Sequence, residues 1–214
     1  MTWAKTNPPP NISCRFFTYS TEFIIWARKH EKTPHYYNYE LMKLINNGKQ
    51  MTDVWQLPAI ARWEKTCGKH PTQKPLSLLT RIILASTRPN AWILDPFSGS
   101  STTGIAASLV DRRYLGIERE KDFLDISKSR REELNNLDLR AEYRKKIKDI
   151  AFLPSCNSVC EDIVDDYVLP FQGVAAYPHI SSGVPLRSAP ACALVGLSAR
   201  FVALRLVTLT VKKA

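Results

Sequence analysis

The chain lacks an apolar run behind its first basic residue. Met1-Thr2-Trp3-Ala4-Lys5 continues into polar and proline positions, so no signal peptide is expected. Its cysteines do not make a disulfide framework. They are five, an odd number, at Cys14, Cys67, Cys156, Cys160 and Cys192. A reduced cytoplasm is the compartment this predicts. Cys156 and Cys160 have a spacing that suits half of a metal site. A closed site needs four ligands and no second pair follows, so no metal is expected. Repeats and low-complexity linkers are also absent. The most apolar stretch, Ala189–Val211, is long enough to span a bilayer but contains Arg200 and Arg205. A central arginine costs roughly 3 kcal/mol on insertion scales. A buried strand pair or a poorly formed segment is expected there instead of a membrane helix.

What is present is a chain of 214 residues with a net charge of +10. That length suits one domain, or one domain with an appendage. The charge favours a polyanionic partner, nucleic acid or an anionic membrane surface, over a merely solvated basic face. It is unevenly spread. Residues 1–150 hold 25 Lys/Arg and 16 Asp/Glu, whereas residues 151–214 hold 5 and 4. The last stretch is rich in Ala, Val, Leu and Ser with scattered prolines. It is expected to stand apart from the main fold, as a tail of unknown origin.

Along the first part, Thr21–Ala27 reads as a short apolar strand. Tyr39–Asn47 reads as a helix, with Leu41, Leu44 and Ile45 on one face and Gly48 as its stop. Pro75–Thr87 reads as a second helix with its proline at the start, and Leu76, Leu79 and Ile83 share a face. Then come an apolar run ending in Asp95, a small-residue loop, a helix over Thr102–Val110, and a second apolar run, Tyr114–Glu118. A charged helix follows from Lys121 to about Leu137. Strand, loop, helix, strand is the βαβ unit of a parallel sheet.

The loop Asp95-Pro96-Phe97-Ser98-Gly99-Ser100-Ser101-Thr102-Thr103-Gly104 turns from a strand into a helix. Its small residues allow close backbone approach to a ligand, and helix-opening N–H groups favour an anion. Glu118 ends the next strand, 23 residues after Asp95. A carboxylate near that distance suits ribose hydroxyls. Ile105 stands where a Walker loop needs lysine, and Gly99-Ser100-Ser101 breaks a dinucleotide fingerprint. Taken alone, the loop also suits a plain βα turn with a helix cap.

His70-Pro71-Thr72-Gln73-Lys74-Pro75 precedes this unit. Together with DPFSGSSTTG and YLGIE, it resembles the DNA amino-methyltransferases of restriction–modification systems. Trp3-x-Lys5, Arg15–Thr18, Glu22-x-Ile24-x-Trp26-x-x-Lys29 and the stretch from Asp53-Val54-Trp55 to Gly68-Lys69 add to the likeness, which covers about residues 1–140. The motif order is similar to that of the permuted adenine-N6/cytosine-N4 subgroup, whose catalytic half comes first. The resemblance implies an α/β fold, the Rossmann-like sheet of S-adenosylmethionine-dependent methyltransferases, here incomplete and truncated at the N-terminus. It places a target-recognition region at about 30–68 and a cofactor-binding region at about 69–140.

The same resemblance implies S-adenosylmethionine as cofactor. Phe97 and Gly99 would curl around its methionine part, with Thr102 and Thr103 at the helix opening. Glu118 would hold the ribose, Asp95 would orient the loop, and Thr72 and Lys74 would close over the cofactor. It further implies double-stranded DNA as substrate, with methyl transfer to an exocyclic amine, adenine favoured, after the target base leaves the stack. The basic residues between Lys29 and Lys74 would then meet phosphates, contacts that carry no sequence information. A separate catalytic half or a cognate restriction enzyme are further partners on this reading, and no membrane is one.

Two departures stand out. Ser101 occupies the place of the family's second glycine, which predicts weakened cofactor binding or a hydroxyl turned to solvent. The family's Asp/Asn-Pro-Pro-aromatic tetrapeptide is missing. Asn7-Pro8-Pro9-Pro10 lacks the aromatic and lies among motifs that follow the tetrapeptide in the family. No catalytic residue is therefore assigned, and the chain is expected to be inactive alone. The alternative is a remnant that binds cofactor or DNA without catalysis. Without its missing half, the Ala91–Asp95 strand is expected to present an unpaired edge.

Overall fold

The computed structural model describes residues 1–28, 31–32, 34–68 and 70–153, and the backbone of 166–170 and 201–203. Two small sheets organise these residues. In the first, β1 (Thr2–Lys5) lies between β2 (Thr21–Phe23) and β3 (Val54–Leu57). β1 runs antiparallel to β2 and parallel to β3, with Trp3 opposite both Glu22 and Trp55. The buried indole of Trp3 donates to the Leu57 carbonyl at 3.0 Å. The apolar strand expected over Thr21–Ala27 is shorter, because Ile25 and Trp26 are exposed beyond Phe23.

The second sheet has the order β6-β5-β4-β7, with every neighbour parallel. Its central strands are β4 (Trp92–Asp95) and β5 (Arg113–Glu118). The crossover between them is α3 (Thr102–Leu109), as the βαβ reading required. β6 (Asp166–Pro170) and β7 (Phe201–Ala203) come from the stretch after residue 150. The expectation of an unpaired β4 edge is thereby corrected. Trp92, Ile93 and Leu94 pair with Phe201, Val202 and Ala203, because an apolar strand leaves no ladder group unmet when a parallel neighbour is within reach. The cysteines at 156, 160 and 192 lie outside the described residues. Most of Ala189–Val211 does too. Among the described residues, no helix is long and apolar enough to cross a membrane.

α1 (Tyr39–Ile45) starts at Asn38, whose side chain accepts from the Leu41 amide. Its buried face is Leu41 and Met42, while Leu44 is exposed, so the face differs from the one read off the sequence. α2 (Leu76–Ser86) follows Pro75, which serves as its cap residue. Leu76, Leu79 and Ile83 are buried as expected, and Leu78, Ile82 and Leu84 are buried as well. Such a helix is apolar around most of its circumference and sits between other elements. The charged helix anticipated to Leu137 is two: α4 (Lys121–Glu133) and α5 (Leu137–Lys146). Asn136 divides them by accepting the Asp138 and Leu139 amides, the usual device for a fresh helix start. After α5, Asp149 returns to α2 as a two-pronged partner of Arg81, at 2.7 and 2.9 Å.

Candidate cofactor site

Because β4 and β5 are parallel with Asp95 opposite Gly116, Asp95 and Glu118 end up at the same carboxyl edge of the sheet. That edge is where ligands bind in open α/β sheets. The chain between Asp95 and α3 must turn sharply there, and its bonds show how. The Ser98 amide donates to the Ile117 carbonyl at 3.0 Å, tying the loop to β5. The Ser101 amide donates to Ser98 at 2.8 Å, closing the turn.

Asp95 is buried and braces the turn from inside. One carboxylate oxygen accepts the Phe97 amide at 3.1 Å and the other the Thr103 hydroxyl at 2.6 Å. Burial raises its carboxyl above the ordinary range, against the pull of those two bonds. Glu118 grips the loop from the neighbouring strand. Its Oε2 accepts the Gly99 amide at 2.7 Å, and its Oε1 accepts the Arg119 and Glu120 amides, both at 2.9 Å.

Gly99 is required twice over. Its φ is +53°, and a Cβ there would lie 3.0 Å from Nε2 of His70. The imidazole packs on Phe123 with ring centroids 4.2 Å apart. Burial lowers its pKa, outweighing the nearby Glu118 charge. The Thr72 amide donates to Nδ1 at 3.3 Å, which assigns the ring proton to Nε2, facing Gly99. Thr72 thus reaches the loop through His70. Phe97 is 72% exposed at the loop's tip.

Lys74 goes elsewhere. Its ammonium sits 2.7 Å from Glu22 on β2, and Lys5 of β1 takes the other oxygen at 2.8 Å. Burial would raise the Glu22 pKa, but the two ammonium groups prevail and hold it below the usual value. The loop therefore gathers Asp95, Phe97, Gly99, Ser101, Thr102, Thr103 and Glu118, with Thr72 one residue removed, while Lys74 anchors its segment to the other sheet.

Ser101 adopts φ +57°, the left-handed conformation in which a non-glycine residue costs about 1–2 kcal/mol. Its side chain is 4% exposed, so the solvent-facing alternative is overturned.

Two residues escaped the sequence reading. Arg130 on α4 donates from Nη1 to the Ser100 carbonyl at 2.6 Å, the Ser100 hydroxyl at 3.1 Å and the Thr102 hydroxyl at 3.0 Å. Ser127, one turn earlier, donates to the Gly99 carbonyl at 2.8 Å. Leu124, Ser127 and Arg130 are the buried positions of α4, and this spacing of three was the available signal. Behind them, buried Glu64 accepts the Leu76 amide at 2.7 Å and the Ala61 amide at 3.1 Å, capping α2.

The chain is similar in sequence and fold to known proteins. The chain is 62% identical over 148 residues to the Type II methyltransferase M2.MboI of Moraxella bovis, covering 69% of this chain and 54% of that protein. It is 58% identical over 136 residues to the Type II methyltransferase M2.DpnII of Streptococcus pneumoniae, covering 63% and 51%. The chain spans about half the length of the curated relatives it matches. Among solved structures, PvuII DNA methyltransferase, described as cytosine-N4-specific, superposes with a TM-score of 0.50 at 19% identity, covering 70% of this chain and 54% of that one. That likeness is one of fold. Residues 1–129 match the family model described as DNA methylase, and the chain belongs to that family.

Proposed function

We propose that this chain carries the cofactor-binding part of a Type II DNA methyltransferase that uses S-adenosylmethionine to methylate an exocyclic amine of a base in double-stranded DNA. The observation that carries the reading is the pair Asp95 and Glu118, set at adjacent parallel strand ends around the Gly99 turn. The residues fit the cofactor's chemistry. Glu118 supplies an acceptor for ribose hydroxyls, and the Phe97 ring at the loop's tip offers an apolar face. When bound, the cofactor supplies the sulfonium methyl. The chain's own residues hold and orient. Asp95 and Thr103 fix the turn, Glu118 binds, and His70 with Thr72 covers. Positioning is most of what such an in-line transfer asks of a protein.

On this reading residues 69–140 bind cofactor and residues 30–68 recognise the target. Adenine is favoured over cytosine by motif order. The protein works in the cytoplasm, where its DNA is. Within these 214 residues no Asp/Asn-Pro-Pro-aromatic segment occurs, so the chain alone does not transfer methyl groups. A separate polypeptide bearing that segment would complete it, and a cognate restriction enzyme would share its target. The second reading, a remnant that only binds cofactor or DNA, is favoured by the same missing segment. The experiment is titration calorimetry with S-adenosylmethionine, followed by transfer of radiolabelled methyl to unmethylated DNA, with and without the family's amino-terminal half in trans. No heat of binding would sink the cofactor reading. Label transferred by the lone chain would sink the inactivity. Binding, with transfer only on complementation, is the expected result.

A further inference from the structure

Glu22 stands on β2 opposite Trp3, and Lys5 lies two residues further along β1, so the three share one face of the first sheet. On that face the carboxylate takes the Lys5 ammonium on one oxygen at 2.8 Å and the Lys74 ammonium on the other at 2.7 Å. All three charges are largely withdrawn from water, which is costly, and an apolar cluster of similar volume often stabilises a fold as well. An ion cluster instead dictates which side chain stands where. Lys74 belongs to a short segment with little slack. The Gln73 amide donates to the His70 carbonyl at 3.3 Å, and the Gln73 side chain donates to the Glu64 carbonyl at 2.9 Å. Pro71 and Pro75 each lock one φ, and Pro75 leads directly into α2. At the other end His70 lies against the cofactor turn. A Cβ on Gly99 would come within 3.0 Å of its Nε2, and the ring packs on Phe123.

We propose that Glu22 is a positioning residue for the cofactor site: by holding Lys74 it sets where the His70–Pro75 segment meets the Gly99 turn. The lysine of that segment thus acts through β2, and His70 carries the effect to the turn. Lys5 has a different part. It occupies the second oxygen of Glu22 and stays within the first sheet, where its ammonium lies 5.2 Å from the Trp3 ring centroid. The two lysines are therefore alike in what they do for the charge of Glu22 and unlike in what they are joined to. This inference rests on the cofactor reading for its ligand, though not for the coupling between Glu22 and the turn.

The test compares Lys74→Met, Lys5→Met, Lys74→Glu and Lys74→Glu combined with Glu22→Lys, all in the full chain, by calorimetry with S-adenosylmethionine. Each methionine removes one partner of Glu22 and keeps the aliphatic stem. Lys74→Met should weaken binding about fivefold or more, within the range of coupled contacts. Lys5→Met should leave it within about twofold, as expected of a site not joined to the turn. Lys74→Glu sets two carboxylates side by side and should weaken binding further, and adding Glu22→Lys should recover most of it by restoring opposite charges. Equal weakening by the two methionine variants would overturn the proposal, and so would an exchanged pair no better than Lys74→Glu alone. If Lys74→Glu does not fold, the methionine pair decides. A second readout needs no ligand. In isotope-labelled free protein, the magnetic resonances of the Gly99 amide and the His70 ring should move on Lys74→Met and stay in place on Lys5→Met. Should the parent chain not bind S-adenosylmethionine at all, the cofactor reading fails, and these resonances then decide the coupling. Movement confined to Lys74→Met supports it, and resonances that stay in place or move equally in both variants overturn it.

Discussion

Oε2 of Glu118 accepts the amide hydrogen of Gly99 at 2.7 Å, so the acid at the end of β5 and the glycine of the β4–α3 turn form one unit across two strands. The acid that reaches a ribose on this reading is also the one that shapes the loop around it. Removing it should act twice, on ligand and on loop. A hydrogen bond to a charged group contributes about 1.5–3 kcal/mol. Glu118→Ala should therefore weaken S-adenosylmethionine by about tenfold or more. Glu118→Gln keeps an acceptor for one of the amides and should lose less. Calorimetric affinities equal to the parent's in both variants would remove Glu118 from the site.

Arg130 supports the same loop from behind, through three oxygens of Ser100 and Thr102. Its guanidinium is buried, and truncation would leave those oxygens without a donor. Arg130→Met, which keeps the aliphatic bulk, should lower unfolding free energy by about 2–3 kcal/mol. Arg130→Lys should rescue only part, since an ammonium cannot present the planar fork. Urea denaturation of the three proteins checks this, and a midpoint unchanged in Arg130→Met would refute it.

These two residues also mark how much was legible in the sequence. Glu118, Gly99 and Asp95 sit in a contiguous βαβ pattern whose strand ends and turn are written in local chemistry, so the sheet's centre and its loop could be read directly. Arg130 and Ser127 could not. Their role depends on α4 packing back over the turn, and a charged helix read from sequence assigns arginine to solvent by default. β1 and β3 were missed for a similar reason. Each has four residues, and their pairing spans some fifty positions of chain. Lys74 illustrates the converse. It stands in a recognisable motif, yet its ammonium goes to Glu22, a partner that no local pattern discloses.

The Lys5–Glu22–Lys74 group gives a pH dependence with a definite sign. The Glu22 pKa is held below its ordinary 4.5 by the two lysines. Its contribution is fully present above 4.5 and is lost as pH falls through the depressed value. Asp95 and Glu64 carry the opposite sign, because burial raises both. Their contribution is present below their ordinary values and is lost as pH rises through the raised ones. Glu22→Gln should therefore cost stability at about pH 6 and cost progressively less towards about pH 3. Denaturation curves across that range check it. A constant difference between parent and variant would show that Glu22 does not titrate differently on folding.

Deletion after Ile150 separates what the cofactor turn needs from what the sheet needs. Among the described residues, the side chains bonded to the turn or bracing it come from residues 95–130: Asp95, Thr103, Glu118, Ser127 and Arg130. The composition of the later stretch differs sharply from that of the first 150 residues. We expect the shortened chain to keep its affinity for S-adenosylmethionine within about twofold, far less than loss of a single charged contact would cause. The sheet should respond differently. β7 pairs with Trp92, Ile93 and Leu94, and β6 pairs with Tyr114 through Glu118. Their removal bares both edges of two apolar parallel strands, and a row of unpaired N–H and C=O groups invites pairing with another chain. The shortened chain should therefore self-associate, read as a rise in mass by light scattering with concentration, while ligand binding persists. Loss of affinity on deletion would mean that residues 151–214 belong to the cofactor site after all. Retention of a monomer at every concentration would mean that β6 and β7 contribute nothing to the sheet in solution.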